Sequence, residues 1–337
     1  MEALRWLDPP EGPAIALLDQ TRLPNDEVTL VCRDVPSLVT AIRSLAVRGA
    51  PLLGIAGGYG VALAAALGAD VPAATEEVID ARPTAVNLGW AAQRVLAAYA
   101  EGRDALAEAH VIAAEEAQAS ARMGEHGLTL VPDGARILTH CNAGALAAGG
   151  EGTALALVVA AHRAGRLKHL WVDETRPLLQ GARLTAYEAR RHGIPYAVLP
   201  DNAAGSLFAA GEVDLVVVGA DRIARDHSVA NKVGTYPLAV LAHHHGVPFV
   251  VVAPTSTLDP EARTGGDIPI EQRDPAEVTL IAGRRMAPEG SAAYNPAFDV
   301  TPGHLVTAIV TEQGVITRAN GGNLGLLGGT ASDNAGR

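Results

Sequence analysis

The chain has 337 residues, room for a large core and for two domains rather than one. Its residues are 48% apolar but only 4% aromatic, so the core must be built from Ala, Val and Leu, as in closely packed layers of helix and sheet. A net charge of −11, with arginines scattered singly, leaves no basic stripe for a phosphate backbone, and no nucleic acid is expected as a partner.

The first ten residues, Met1 to Pro10, are acidic and broken by proline, unlike a signal peptide. Short strands are expected at Ala14–Leu18 and Val28–Cys32, then helices at Val35–Val47, Pro51–Leu67, Thr84–Ala100 and Asp104–Gly127. The span from Gly49 to Ala69 carries no charge and is long enough to cross a bilayer. It consists largely of Gly and Ala, however, and Pro51 suits the first turn of a buried helix, so no membrane is expected as a partner. Near residue 130 the pattern changes. Strands at Arg136–Thr139, His169–Asp173, Tyr196–Leu199, Leu215–Val218 and Phe249–Ala253 alternate with helices at Gly152–Ala164, Gln180–His192, Ala203–Ala210 and Thr235–His245. Short apolar strands separated by helices mean a parallel sheet. The expected class is α/β: a mainly helical N-terminal domain, 1–130, a Rossmann-like doubly wound parallel-sheet domain, 131–320, and a Gly-rich flexible tail, 321–337.

Ligands of such a sheet bind beyond the carboxyl ends of its strands. Polar groups stand at five of them: Cys141; Asp173-Glu174-Thr175-Arg176; Asp201-Asn202; Asp221-Arg222; and Thr255-Ser256. Any one reads equally well as a helix cap, Asp201 and Thr255 above all, but five together point to a shared pocket. Cys141 lies between a strand and an Ala-rich helix whose amides and dipole would favour a thiolate; the alternative is a buried structural cysteine. Cys32 is far from it in sequence and no CxxC spacing occurs, so neither a zinc site nor a redox pair is suggested, and free thiols fit a reducing cytoplasm. Arg48-Gly49-Ala50-Pro51 sits where one helix ends and the next begins, an arrangement that holds phosphate at a helix N-terminus, and Arg82-Pro83-Thr84 repeats it. A plain helix-breaking turn explains either one as well. His243-His244-His245 point in different directions on a helix and read as a solvated end, with no metal expected. Gly57-Gly58-Tyr59-Gly60 follows no strand and is no dinucleotide fingerprint. Trp90 and Trp171 read as packing residues.

Several longer motifs are recognisable: Ala46-Val-Arg-Gly-Ala-Pro51, Arg82-Pro-Thr-Ala-Val-Asn-Leu88, Leu138-Thr-His-Cys-Asn-Ala-Gly-Ala-Leu146 and Asp173-Glu-Thr-Arg-Pro-Leu-Leu-Gln-Gly-Ala-Arg-Leu-Thr-Ala186. Further on come Gly219-Ala-Asp-Arg-Ile223, Val229-Ala-Asn-Lys-Val-Gly-Thr235 and Asn295-Pro-Ala-Phe-Asp-Val-Thr-Pro302. Through them the chain resembles the methylthioribose-1-phosphate isomerases, within a wider family that includes regulatory subunits of the exchange factor for translation initiation. The resemblance implies a cofactor-free conversion of 5-methylthioribose 1-phosphate to 5-methylthioribulose 1-phosphate by a cytoplasmic homodimer. It implies that Cys141 and Asp221 are catalytic, and that Arg48, Gly49, Ala50, Arg82, Gln180, Asn231 and Lys232 contact the phosphosugar. Of these, Gln180, Asn231 and Lys232 rest on the resemblance alone. Isomerisation of another 1-phosphosugar, 5-deoxyribose 1-phosphate or ribose 1,5-bisphosphate, and a non-enzymatic regulatory role are the alternatives. Two departures bear on the choice. Asp226-His227-Ser228 replaces a usual Asn-Gly-Asp, and Ala203 stands where the family often has Met, which is expected to alter the pocket around the sugar's 5-substituent.

Overall fold

The computed structural model describes residues 2–281 and 283–317, so the expected tail, 321–337, lies outside the described residues. The chain opens with an antiparallel sheet of β1 (Leu4–Leu7), β2 (Ala14–Leu18) and β3 (Thr29–Cys32), in that spatial order. Helices follow: α1 (Val35–Arg43), α2 (Ala50–Ala66), α3 (Val71–Ile79), α4 (Val86–Ala100) and α5 (Ala105–Leu128). Asp34, Asp70 and Asp104 cap α1, α3 and α5 by accepting amide hydrogens of the first turn, which places these starts where the sequence puts an aspartate before an apolar stretch. α1 ends four residues before the expected Val47 because Leu45 turns to a φ of 62°. α3 was not expected; its Val71, Ala74, Thr75 and Val78 have the i, i+3, i+4, i+7 spacing of a buried stripe.

The uncharged span around α2 is a core helix, buried from Pro51 through Ala64. A Cβ on Gly57 would lie 2.9 Å from the Leu88 side chain, so glycine there lets α4 pack directly on the α2 backbone. Among the described residues no helix is long and apolar enough to cross a membrane.

The larger sheet contains β4 (Ala135–Thr139), β5 (Leu167–Asp173), β6 (Tyr196–Leu199), β7 (Leu215–Val218), β10 (Phe249–Val252), β14 (Ala308–Thr311) and β15 (Gly314–Thr317). Their order is β15-β14-β10-β7-β4-β5-β6, all parallel except the terminal β14–β15 hairpin. Between them in sequence lie the single turn α6 (Ala145–Ala148), α7 (Ala154–Arg163), α8 (Ala186–Arg191), α9 (Ala204–Ala209) and α10 (Thr235–His245). The first half of the helix expected at Gln180–His192 is instead a π-helical turn, Gly181–Thr185. Alternate strand residues divide between two cores: Ile137, Val217 and Val250 pack with Met123 of α5 and Leu157 of α7, while Leu138, Val216 and Val251 pack with Phe208 of α9 and Leu238 of α10. Both faces are thus covered, which is why these strands read as unbroken apolar runs.

The chain enters this sheet in the middle, at β4, builds outward through β5 and β6, and returns to lay β7 on the other side of β4. The strand order therefore reverses between β4 and β7, and a crevice opens beyond their carboxyl ends. A second small sheet stands over it: β8 (Arg222–Ile223), β9 (Val229–Lys232) and β13 (Phe298–Thr301), antiparallel, in the order β13-β9-β8. A minor hairpin, β11 (Leu280–Ile281) and β12 (Arg284–Arg285), follows the turn α11 (Ala276–Thr279). The sequence reading anticipated neither β8, β9 and β13 nor the β14–β15 edge.

Candidate active site

Cys141 follows β4 and Asp221 follows β7, so the two flank the reversal point. Around them a cleft is lined by Arg48, Gly49, Ala50, Arg82, Gln180, Asn231 and Lys232 as well. All nine residues that the resemblance implies thus meet in one place, although they come from separate stretches of chain.

The thiol is held by its backbone. Cys141 is buried with a φ of 62°; its N–H donates to Thr175 Oγ1 at 2.8 Å and its carbonyl accepts from Thr185 Oγ1 at 2.6 Å. The expected helix behind the thiol is only the one-turn α6, and its Ala145 N–H is taken by Glu188 at 2.7 Å. A helix dipole is therefore not what surrounds Cys141. Cationic side chains are.

Arg48 sits between α1 and α2, donating to Asn142 Oδ1 at 3.2 Å and to the Asn142 carbonyl at 2.8 Å. Gly49 N-caps α2 with a φ of 96°, and any Cβ there would collide with the Ala147 backbone. Arg82 pairs with Glu271 at 3.4 Å, and Glu271 is shared with Arg273 at 2.9 Å. The Lys232 ammonium donates to the Ala297 carbonyl at 2.8 Å and lies 5.0 Å from the centre of the Phe298 ring. Burial pulls the Lys232 pKa down, against the pull of Cys141 and Asp221. Burial pushes the Asp221 carboxyl up even though Lys232, Arg48 and Arg82 draw it down. The cleft thus gathers four cations, Arg48, Arg82, Lys232 and Arg273, around a carboxyl biased toward its protonated form. Gln180 is 5% exposed with its Oε1 unpaired among the described residues, and the Asn231 amide donates to Thr235 Oγ1 at 3.0 Å.

Sequence reading missed Arg273, a lone arginine in a loop with no distinguishing spacing. It also missed His140. That ring is buried, with Nε2 donating to the Val233 carbonyl at 2.8 Å and Nδ1 bonded to Asp173 Oδ2 at 2.9 Å. It joins the residue before Cys141 to the residue after Lys232. His140, Asp173 and Asp201 are close enough to suggest metal ligands. Most of their atoms are committed otherwise: both oxygens of Asp201 accept backbone N–H groups, from Thr175 and Arg176 at 2.7 Å each, and both nitrogens of His140 are bonded as above, while Asp173 Oδ1 has no partner among the described residues. The cluster braces the Cys141 loop.

The expectation of one pocket shared by five strand ends needs correction. Of those five strand-end groups only the ones after β4 and β7 line the cleft, and the connection after β5 contributes Gln180 instead. Asp173 and Asp201 serve the brace, and Thr255 and Ser256 bond to Glu312 and Glu116 in a separate depression. Neither Asp201 nor Thr255 caps its own helix; Pro200 and Pro254 hold the cap positions. Ala203 packs beside the sheet core, and neither it nor Asp226-His227-Ser228 lines the cleft. Trp171 is anchored through Nε1 to the Glu212 carbonyl at 2.9 Å, whereas Trp90 is 40% exposed under the Arg94 guanidinium rather than packed. The three consecutive histidines are exposed at the end of α10.

Fold and cleft together define an α/β protein with a cation-lined cleft at a sheet reversal, furnished with one half-buried carboxyl and one buried thiol. The chain belongs to the initiation factor 2 subunit family, whose pattern matches residues 46–318. It is 51% identical over 334 residues to the methylthioribose-1-phosphate isomerase of Pelotomaculum thermopropionicum, covering 94% of this chain and 91% of that one. With the methylthioribose-1-phosphate isomerase of Anaeromyxobacter sp. (strain K) it shares 53% identity over 317 residues, covering 93% and 94%. Among solved structures it is similar to 5-methylthioribose 1-phosphate isomerase from Pyrococcus horikoshii OT3, with TM-score 0.88, 40% identity and 97% and 96% coverage. It is similar as well to the translation initiation factor eIF-2B subunit delta from A. fulgidus, with TM-score 0.85, 41% identity and 97% and 99% coverage.

Proposed function

We propose that the chain is an aldose–ketose isomerase that converts 5-methylthio-α-D-ribose 1-phosphate to 5-methylthio-D-ribulose 1-phosphate, a step of methionine salvage. The observation that carries this reading is the single cleft in which a raised carboxyl and a buried thiol stand among four cations. The names borne by the relatives at about half identity agree with it.

Phosphate on the anomeric oxygen prevents the sugar from opening by loss of a hemiacetal proton. The ring oxygen must be protonated as the C1–O bond breaks, which calls for a carboxyl still protonated near neutral pH. Asp221 fits that role because burial raises it. Hydrogen then passes from C2 to C1 while the C2 hydroxyl gives up its proton and becomes the ketone. Cys141 serves this transfer, either by carrying the C2 proton as thiolate and returning it to C1 or by flanking a direct hydride shift. Arg48, Arg82, Lys232 and the amides at Gly49 and Ala50 hold the phosphate, and Gln180 and Asn231 orient the sugar hydroxyls.

The same reading treats residues 1–130 and 131–320 as two domains. It describes the second as Rossmann-like, supported by the order β6-β5-β4-β7-β10-β14, and expects a cytoplasmic homodimer. Ketose formation from 5-methylthioribose 1-phosphate, 5-deoxyribose 1-phosphate and ribose 1,5-bisphosphate tests the activity. Preferred turnover of the first is expected; faster turnover of another would reassign the substrate, and none at all would leave the non-enzymatic regulatory role, with the A. fulgidus neighbour, a translation initiation factor subunit, as its structural parallel.

A further inference from the structure

Glu188 lies on α8, 1% exposed, and reaches no substrate-lining surface itself. Its Oε1 accepts the Asn142 side-chain amide at 2.7 Å and its Oε2 accepts the Ala145 N–H at 2.7 Å. Gly144 leaves room for it, since a Cβ there would collide with the carboxylate. Asn142, 3% exposed and adjacent to Cys141, turns its other end to Arg48.

We propose that Glu188 is a positioning residue that aims Arg48 at the substrate phosphate by fixing the orientation of the Asn142 amide. An ionised carboxylate can only accept, so Asn142 must present its NH₂ to Glu188 and its oxygen to Arg48. That oxygen and the Asn142 carbonyl then hold two guanidinium N–H groups, at 3.2 and 2.8 Å, leaving the rest of the fork for an anion. Glutamine in place of Glu188 would spend its oxygen on the Ala145 N–H and set its own NH₂ against that of Asn142. The Asn142 amide then flips, giving up the longer 3.3 Å bond it donates to Thr185 Oγ1, and faces Arg48 with a donor.

The proposal rests on the reading of Arg48 as a phosphate contact, so its test reads inorganic phosphate binding by calorimetry as well as turnover. In Glu188→Gln, phosphate binding is expected to weaken and KM to rise about tenfold, the scale of one charge-assisted hydrogen bond, with kcat changed far less. In an Arg48→Ala background, Glu188→Gln should add nothing to KM. Burial pushes Glu188 to about 7 against the donors that face it, Asn142 and the Ala145 and Leu146 amides, and against Arg48, the charged group nearby. A protonated Glu188 is a donor like glutamine. The advantage of wild type over Glu188→Gln should therefore fade as pH falls below about 7, and taking the ratio at each pH cancels the titration of phosphate itself. Equal phosphate affinity in wild type and Glu188→Gln, a ratio between them that does not change with pH, or a full additive loss in the Arg48→Ala background would overturn it. Loss of turnover on every sugar with the phosphate effects intact would instead overturn the isomerase reading alone.

Discussion

Replacing Asp221 by asparagine separates its two possible services, proton donor and structural acceptor. The side chains are nearly the same size, so the cleft keeps its shape. Wild type sets Asp221 against Lys232, Arg48 and Arg82, with Glu271 as the other carboxylate nearby, and the variant removes any negative charge that Asp221 itself carries. Binding of a dianionic phosphosugar should therefore stay equal or tighten, while ring opening loses its acid. General acid catalysis is worth roughly 100-fold or more, or about 2.7 kcal/mol on the barrier, so single-turnover rates should fall by at least that factor with KM unchanged or lower. The wild-type rate should also decline as pH rises through the raised Asp221 pKa, and that limb should vanish from the residual rate of the variant. Rapid-quench single turnovers, with thermal melting alongside, measure all of this. An asparagine variant that melts like wild type and keeps more than about a tenth of its turnover would remove Asp221 from the chemistry.

Cys141→Ser should lower kcat by about 100-fold or more with KM largely kept, because the hydroxyl is a far weaker acid than the thiol; near wild-type rates would make Cys141 a packing residue. Arg48→Ala should cost about 1.5–3 kcal/mol of substrate binding and much less for the phosphate-free sugar, both read from inhibition or calorimetry; equal losses would show that Arg48 serves the fold. Away from the cleft, burial raises Glu116, 7% exposed, from 4.5 to about 7. A carboxyl raised in the folded state contributes stability that is complete below its ordinary pKa and lost as pH rises through the raised one. Glu116→Gln should remove that loss, gaining up to about 3 kcal/mol at pH 8 and little at pH 5 by urea denaturation; a pH-independent difference would refute it.

The inner strands β4, β7 and β10 were legible because each is a short apolar run, buried on both faces and ended by polar residues. Helix starts were legible where an aspartate precedes an apolar stripe, as at Asp34 and Asp104. Less was visible where the partner is remote. Val229–Lys232 is a strand only because Phe298–Thr301, far along the chain, pairs with it, and nothing local announces a strand containing Asn231 and Lys232. Glu188 reads as a surface charge in Ala-Tyr-Glu-Ala-Arg-Arg, yet it points inward to Asn142.

From the sequence alone came the elements, the class and the residues to watch at the strand ends, since these depend on local periodicity, capping and turn chemistry. Which strand ends share a cleft was decided only by tertiary structure. Apolar runs such as Leu215–Val218 and Phe249–Val252 are interchangeable as sequence, and their neighbours are chosen by hydrogen bonds and packing across long stretches of chain. Because β7 returns to the free side of β4, Cys141 and Asp221 meet across the reversal, while Asp201 and Thr255, at ends that looked just as promising, are carried to other work.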